Sequence, residues 1–343
     1  MKKSDRLTTE YLGLQLANPF VPSASPMTRD NDMPKQLEDA GASAIVMHSL
    51  FEEELKNQHQ QLEQFIHHQE IGHFEADSFL PHPNQIDSIK DARDNYLEIV
   101  HNLKEQLNIP VVASLNGISM DGWIEHGLEI EQAGADALEL NIYYVAANAT
   151  ETAHQVEQRY LNILKRLKDV VNLPITVKIS SQHSAPAHFV SQLKENGANG
   201  VVLFNRFFVP DINLDTLDVE PQLHYSNSQD SLLRIRWLAI IKGQVEINLG
   251  VTGGIHTAND SIKAILAGAD VTHMCSALLM HGTKHISQIK SNFIAWMDEK
   301  EIQSVKQMKG SLSQQYAIDP AAFERANYLE VINAYSRSVE LTN

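Results

Sequence analysis

The chain has 343 residues, with 43 aspartates and glutamates against 27 lysines and arginines, a formal net charge of −16. That balance repels phosphate backbones, and no basic run with interleaved aromatics is present, so nucleic acid is excluded as a partner. A hydrophobic fraction of 43% with 20% charged residues supports a large core and rules out a disordered tail.

The one cysteine cannot form an internal disulfide, which fits a reducing compartment. The opening Met1-Lys2-Lys3-Ser4-Asp5-Arg6 leads into no signal-type apolar stretch. Nowhere is there an apolar run of about 18 residues. The expectation is a soluble cytoplasmic protein with no membrane partner; a homodimer is compatible with it.

Short apolar runs recur along the chain, at 20–24, 44–48, 111–115, 137–141, 175–179, 200–204, 246–251 and 270–275. Most are rich in Val and Ile without strict alternation, the pattern of parallel strands covered on both faces. Helical periodicity fills the gaps at 91–107, 125–133, 156–170, 187–195, 232–242 and 258–267. Eight strand–helix alternations predict an α/β fold, a closed (β/α)₈ barrel of the TIM type, which can absorb residues 1–300 as one domain.

An internal repeat supports this. Ala40-Gly41-Ala42-Ser43, Ala133-Gly134-Ala135-Asp136, Asn196-Gly197-Ala198-Asn199 and Ala267-Gly268-Ala269-Asp270 each end a helix and open a strand. Two other strands are introduced by Asn108-Ile109-Pro110 and Asn172-Leu173-Pro174, where proline stops the helix. The interval between the first two repeat glycines is the longest, which predicts an insertion at about 51–84 after the second strand. Barrel βα loops crown the catalytic face, so this insertion is either a lid or a solvated helical excursion. Residues 286–298 read as the closing helix, and 301–343 as a helical tail over the barrel or a partner subunit.

Gly250-Val251-Thr252-Gly253-Gly254-Ile255 ends the seventh strand before a helix starting near Thr257. A glycine pair there lets backbone N–H groups approach an anion, and the helix dipole favours it. Met274-Cys275-Ser276-Ala277 forms the second wall, at the place where barrels commonly bind phosphate.

Lys178 stands in the otherwise apolar run Pro174-Ile175-Thr176-Val177-Lys178-Ile179. A buried lysine needs a partner, either an anionic ligand at the mouth or a carboxylate such as Glu139 on the neighbouring strand. Asn141 and Asn205 end the strands on either side, and their amides suit a ring bearing both N–H and C=O groups. His59, His67, His68, His73 and His82 are dense but lack metal-ligand spacing, so no metal is expected. Cys275 reads as a small structural residue.

Taken in order, these segments, from Asn18-Pro19-Phe20-Val21-Pro22-Ser23-Ala24-Ser25-Pro26 to Cys275-Ser276-Ala277-Leu278, resemble the dihydroorotate dehydrogenase family, FMN-dependent (β/α)₈ barrels, and in particular its soluble class 1 members. The resemblance implies an oxidoreductase of pyrimidine metabolism acting on CH–CH groups, with hydride passing between a small ring substrate (dihydroorotate or a dihydropyrimidine-like compound) and flavin N5. It implies that Ala24, Ser25 and Ser49 lie against the flavin, that Asn141 of Glu139-Leu140-Asn141 contacts flavin or substrate, and that Lys178 sits near flavin N1 and O2. It implies further that Gly253, Gly254, Cys275 and Ser276 hold the phosphate, and that His48, Asn205 and the loop residue Asn84 face the substrate.

The sequence departs from the family at the base. The family continues Asn-Leu-Ser-Cys-Pro-Asn, or a Ser variant, where this chain has Asn141-Ile142-Tyr143-Tyr144-Val145-Ala146. Tyr144 therefore stands where the proton-removing residue belongs, and Ala146 where a second substrate asparagine would be. A phenol near pKa 10 is a poor base at neutral pH but a competent acid. The family's strand-2 Lys-Ser pair reads His48-Ser49. Two rival readings remain: a barrel lyase, synthase or isomerase that binds a phosphorylated substrate at the same turns, and a non-catalytic flavin-binding subunit.

Overall fold

The computed structural model describes residues 6–29, 31–51, 92–117, 121–207, 209–325 and 328–333. Most of the insertion expected at 51–84, including Asn84 and the five clustered histidines, lies outside the described residues.

Eight parallel strands form one sheet, in the order β3 (Phe20–Pro22), β12 (Val271–Met274), β11 (Asn248–Thr252), β8 (Gly200–Leu203), β7 (Ile175–Ile179), β6 (Ala137–Asn141), β5 (Val111–Asn116), β4 (Ile45–Phe51). The Ser43 N–H donates to Phe20 O at 3.1 Å, bringing the two ends of that order together. The result is the (β/α)₈ barrel expected from the alternation. Helices α1 (Asp32–Asp39), α2 (Ala92–Gln106), α3 (Asp121–Gln132), α4 (Ala153–Val170), α5 (Pro186–Glu195), α6 (Ser231–Lys242), α7 (Ala258–Ala267), α8 (Ser276–His281), α9 (His285–Glu299) and α10 (Val305–Met308) complete the chain order. Gly41, Gly134, Gly197 and Gly268 of the repeat all adopt positive φ.

Alternation along the strands sorts the side chains. Leu138, Leu140, Val177, Val201, Leu203, Leu249 and Val251 face the helices in the main core. Inward positions near the strand starts are apolar: Val21, Val46, Val112, Ala137 and Val271. Further along the strands they become polar, with Ser49, Ser114, Glu139, Asn141, Thr176, Lys178 and His273 all buried. The chemistry is thus confined to the upper half of the barrel.

A bulge refines this in β4. Val46 pairs with Val112 but Ser49 with Ser114, so β4 carries one extra residue. Without it His48 would take the inward place; with it Ser49 does, and its hydroxyl lies 2.8 Å from that of Ser114.

Two antiparallel hairpins escaped the sequence reading. β1 (Thr9–Tyr11) pairs with β2 (Leu14–Leu16). Its turn plugs the strand-start end: Leu12 N–H donates to Asn248 Oδ1 at 2.9 Å, and Tyr11 Oη lies 3.2 Å from Thr176 Oγ1. The second, β9 (Pro210–Asn213) with β10 (Asp218–Pro221), follows β8 and carries exposed Ile212, Leu214, Leu217 and Val219. After α9 the chain lies along α7 and α6, with Gly310 N–H donating to Ile265 O and Gln314 N–H to Ala239 O.

The plug yields a test. A Cβ on Gly200 would stand 2.7 Å from Leu12 Cδ2 and 3.1 Å from Thr176 Oγ1, both buried. Gly200→Val is expected to cost about 1–3 kcal/mol in chemical denaturation through overpacking; unaltered stability would contradict the hairpin's placement.

Candidate active site

At the mouth, the side chains on the β4–β8 side form one hydrogen-bonded string. Asn205 Nδ2 donates to Asn141 Oδ1 at 2.6 Å, and Asn141 Nδ2 donates to Ser49 Oγ at 3.3 Å. Ser114, bonded to Ser49, is fixed in turn by Tyr96 of α2, whose hydroxyl donates to Ser114 O and accepts from Ser114 N–H. Asn141 is committed to this string, which leaves Asn205 with an amide N–H and its carbonyl oxygen for a ligand. Lys178 lies in register with Asn141 and is buried, its Nζ donating to Glu139 Oε1 at 3.4 Å.

Other expected residues stand apart from the string. His48 is bound to the turn after β3: its Nδ1–H donates to Thr28 O at 2.9 Å, and its ring packs edge-on to Tyr96. Burial lowers its pKa below the ordinary histidine value, so the imidazole is neutral. Ser25 caps the short 3₁₀ turn Pro26–Thr28, accepting from Met27 N–H, and Ala24 precedes it. Tyr144 donates its hydroxyl to Glu151 at 2.5 Å, while Arg159 lies over its ring at 4.0 Å and also donates to Glu151.

The β11–β12 side is built around the glycine pair. Gly253 and Gly254 have φ of 84° and 92°, a conformation that side chains strain to adopt. A Cβ on Gly254 would fall 2.3 Å from Ser231 N at the start of α6. The first turn of α7 is closed by its own cap: Asp260 accepts from the N–H groups of His256 and Thr257, and Thr257 Oγ1 accepts from Asp260 N–H. An anion here would therefore meet the glycine turn ahead of the helix. On the facing wall, Ser276 Oγ accepts from Ser226 N–H at 3.2 Å, and burial raises the Cys275 thiol, which stays protonated.

Arg234 is the residue the sequence reading missed. It is buried on α6, its Nε donating to Thr252 O at 3.0 Å and its Nη1 to Asp230 O at 2.6 Å. Nη2 lies 2.9 Å from where a Gly253 Cβ would stand. Burial lowers its pKa, with the Asp230 carboxylate opposing that shift, and the hydrogen bonds of the guanidinium go to two backbone carbonyls. A buried cation so held, directly behind a left-handed glycine turn, fits a phosphate in front of that turn. In sequence it is one arginine in Leu232-Leu233-Arg234-Ile235-Arg236, a helix apolar on too many sides to reveal its phase.

The fold and this mouth define a mononucleotide-binding barrel with a cation facing its interior. The family model for dihydroorotate dehydrogenase matches residues 90–297. The chain is 23% identical over 320 residues to the catalytic subunit of dihydroorotate dehydrogenase B (NAD(+)) from Thermoplasma volcanium, covering 89% of this chain and 97% of that protein. It is 26% identical over 217 residues to the corresponding Shouchella clausii subunit, covering 60% and 69%. It is 25% identical over 217 residues to dihydroorotate dehydrogenase A (fumarate) of Lactobacillus delbrueckii subsp. bulgaricus, covering 61% and 69%.

The chain belongs to the dihydroorotate dehydrogenase family. It is accordingly an FMN-dependent oxidoreductase acting on the CH–CH group of a small molecule, and the lyase and non-catalytic alternatives are not favoured. Among the described residues no helix is long and apolar enough to cross a membrane.

Two outcomes follow. Arg234→Met is expected to weaken FMN binding about tenfold or more, roughly 1.4 kcal/mol, while leaving riboflavin affinity nearly unchanged; equal losses for both ligands in a titration would remove Arg234 from phosphate recognition. The second concerns His273, which burial, with Lys178 nearby, depresses from 6.5 to about 3. As pH falls below the unfolded value, the unfolded chain takes up a proton that the folded barrel refuses, so this contribution to stability is full above 6.5 and lost progressively toward about 3. His273→Leu should therefore lose less stability than the parent between about pH 7 and about pH 5. Identical urea-midpoint shifts in the two proteins would count against this.

Proposed function

We propose that the protein dehydrogenates dihydroorotate or a closely related dihydropyrimidine, with the reverse reduction open to the same groups. The observation that carries this reading is Lys178, a buried cation projecting into the mouth beside the Asn141–Asn205 pair. When bound, FMN would supply the two-electron chemistry, as the hydride acceptor.

The chain's own residues do the rest. Gly253, Gly254, Cys275 and Ser276 would hold the phosphate, with Arg234 behind them, while Ala24, Ser25 and Ser49 would border the isoalloxazine. Lys178 would place positive charge beside the N1/O2 edge of the bound ring, the edge that needs it once the ring is reduced. Asn205, oriented by Asn141, pairs with the N–H and C=O edge of the substrate ring. Tyr144 handles the proton at the substrate carbon, giving it up in the reduction and taking it in the dehydrogenation as its own hydroxyl hydrogen passes to Glu151; Glu151 orients that hydroxyl and Arg159 packs over the ring.

The same reading places the protein in the cytoplasm, supported by its one cysteine. It pairs two copies as a homodimer, supported by the exposed apolar residues of the β9–β10 hairpin.

The test is anaerobic mixing of the flavin-loaded protein with dihydroorotate and a panel of dihydropyrimidines, following loss of flavin absorbance. Bleaching by a dihydropyrimidine is expected, and none with any of the panel would overturn the substrate class. Lys178→Ala is expected to slow bleaching about 10²-fold, and Tyr144→Phe about 10–10²-fold, in proteins with unchanged circular dichroism. Parental rates in either variant would remove the corresponding role.

A further inference from the structure

At the floor of the mouth, three inward side chains from three strands meet in the barrel interior. Glu139 of β6 is fully buried, with Lys178 of β7 at 5% exposure and His273 of β12 at 1%. Lys178 Nζ bonds Glu139 Oε1 at 3.4 Å. Glu139 Oε2 lies 3.9 Å from His273 Nδ1, and neither that oxygen nor either ring nitrogen has a hydrogen-bond partner.

Which of these groups carries charge follows from what surrounds them. Burial keeps His273 neutral far below physiological pH, so it offers Glu139 no cation. Lys178 faces His273 on β12 and Cys275 just after it, and Glu139 faces Tyr11 of the hairpin and Tyr96 of α2. Burial raises both phenols and the thiol, so all three stay protonated. Asp270, which also acts on Tyr11, is paired with Lys309 at 2.5 Å. Among the described residues, Glu139 is the carboxylate that meets Lys178, at 3.4 Å. A buried amine without a carboxylate sheds its proton, because the protein interior solvates the charged form poorly.

We propose that Glu139 is a positioning residue that keeps Lys178 an ammonium at the edge of the cofactor. The inference rests on the placement of FMN beside Lys178. Glu139 itself touches no reacting atom; it acts through the lysine. His273, kept neutral by burial, offers Glu139 no competing cation.

The test compares Glu139→Gln and Glu139→Asp with the parent, measuring the midpoint potential of bound FMN from about pH 6 to about pH 9. The parent and E139D should follow one slope. E139Q should show an added break, above which reduced flavin is disfavoured at least tenfold relative to the parent, about 30 mV for a two-electron couple. An E139Q profile parallel to the parent would overturn the proposal.

Lysine-selective isotope labelling follows the same amine in the purified protein with or without flavin, which separates this inference from the placement of FMN. The Lys178 resonance should titrate within that window in E139Q only; no new titration there would also overturn it. Should E139Q fail to fold, E139Q/K178M, which buries no charge in the pair's place, is expected to fold. Failure of the double variant as well would assign Glu139 a packing role and end the proposal.

Discussion

A lysine projecting into the interior of a closed ring of strands is tolerated only when its charge is answered, and the mouth of this barrel is organised around that requirement. Glu139 answers Lys178 from the adjacent strand, two residues before Asn141. Removing one partner of a buried pair typically costs about 3–5 kcal/mol, far more than the intact pair contributes. The pair therefore makes sense as a device for holding charge where a ligand needs it, at some expense in stability. The apolar lower interior and its hairpin plug close the other end, which lowers the local dielectric and strengthens each charge above.

The remaining polar groups divide by strand. On the β4–β8 side, hydrogen bonds run from Asn205 through Asn141 to Ser49 and Ser114, so neighbouring groups fix each amide's direction. On the β11–β12 side, the backbone does the work, with two left-handed glycines packed on the start of α6 and Arg234 behind them. One side suits a flat heterocycle and the other a phosphate, the two ends of a flavin mononucleotide. Tyr144 lies outside both groups, in a cluster with Glu151 and Arg159, so the residue proposed to handle the proton is held independently of those proposed to hold the flavin.

Much of this was legible in the sequence because parallel strands covered on both faces must be written in Val, Ile and Leu. Lys178 stood out for the same reason, as a charge in a run that excludes charge, and the glycine pair because few other residues reach its φ. The hairpin β1–β2 was not legible, since three-residue strands carry too little alternation to register. Arg234 was hidden by a helix without a clear polar face. The approach of Glu139 to His273 was hidden because β6 and β12 are not neighbours in the sheet: the two meet only across the closed barrel. The bulge that turns Ser49 rather than His48 inward likewise depends on pairing with β5 and leaves no mark in composition.

The account turns on how a flavin mononucleotide lies in the mouth, and a crystal structure of the protein with its chromophore would test it most directly. The expected result is FMN with its phosphate against Gly253 and Gly254, Arg234 behind that turn, and its N1/O2 edge within hydrogen-bonding distance of Lys178 Nζ. A protein that takes up no FMN, or one that binds it with the phosphate elsewhere and the Lys178 amine away from the ring, would contradict the account.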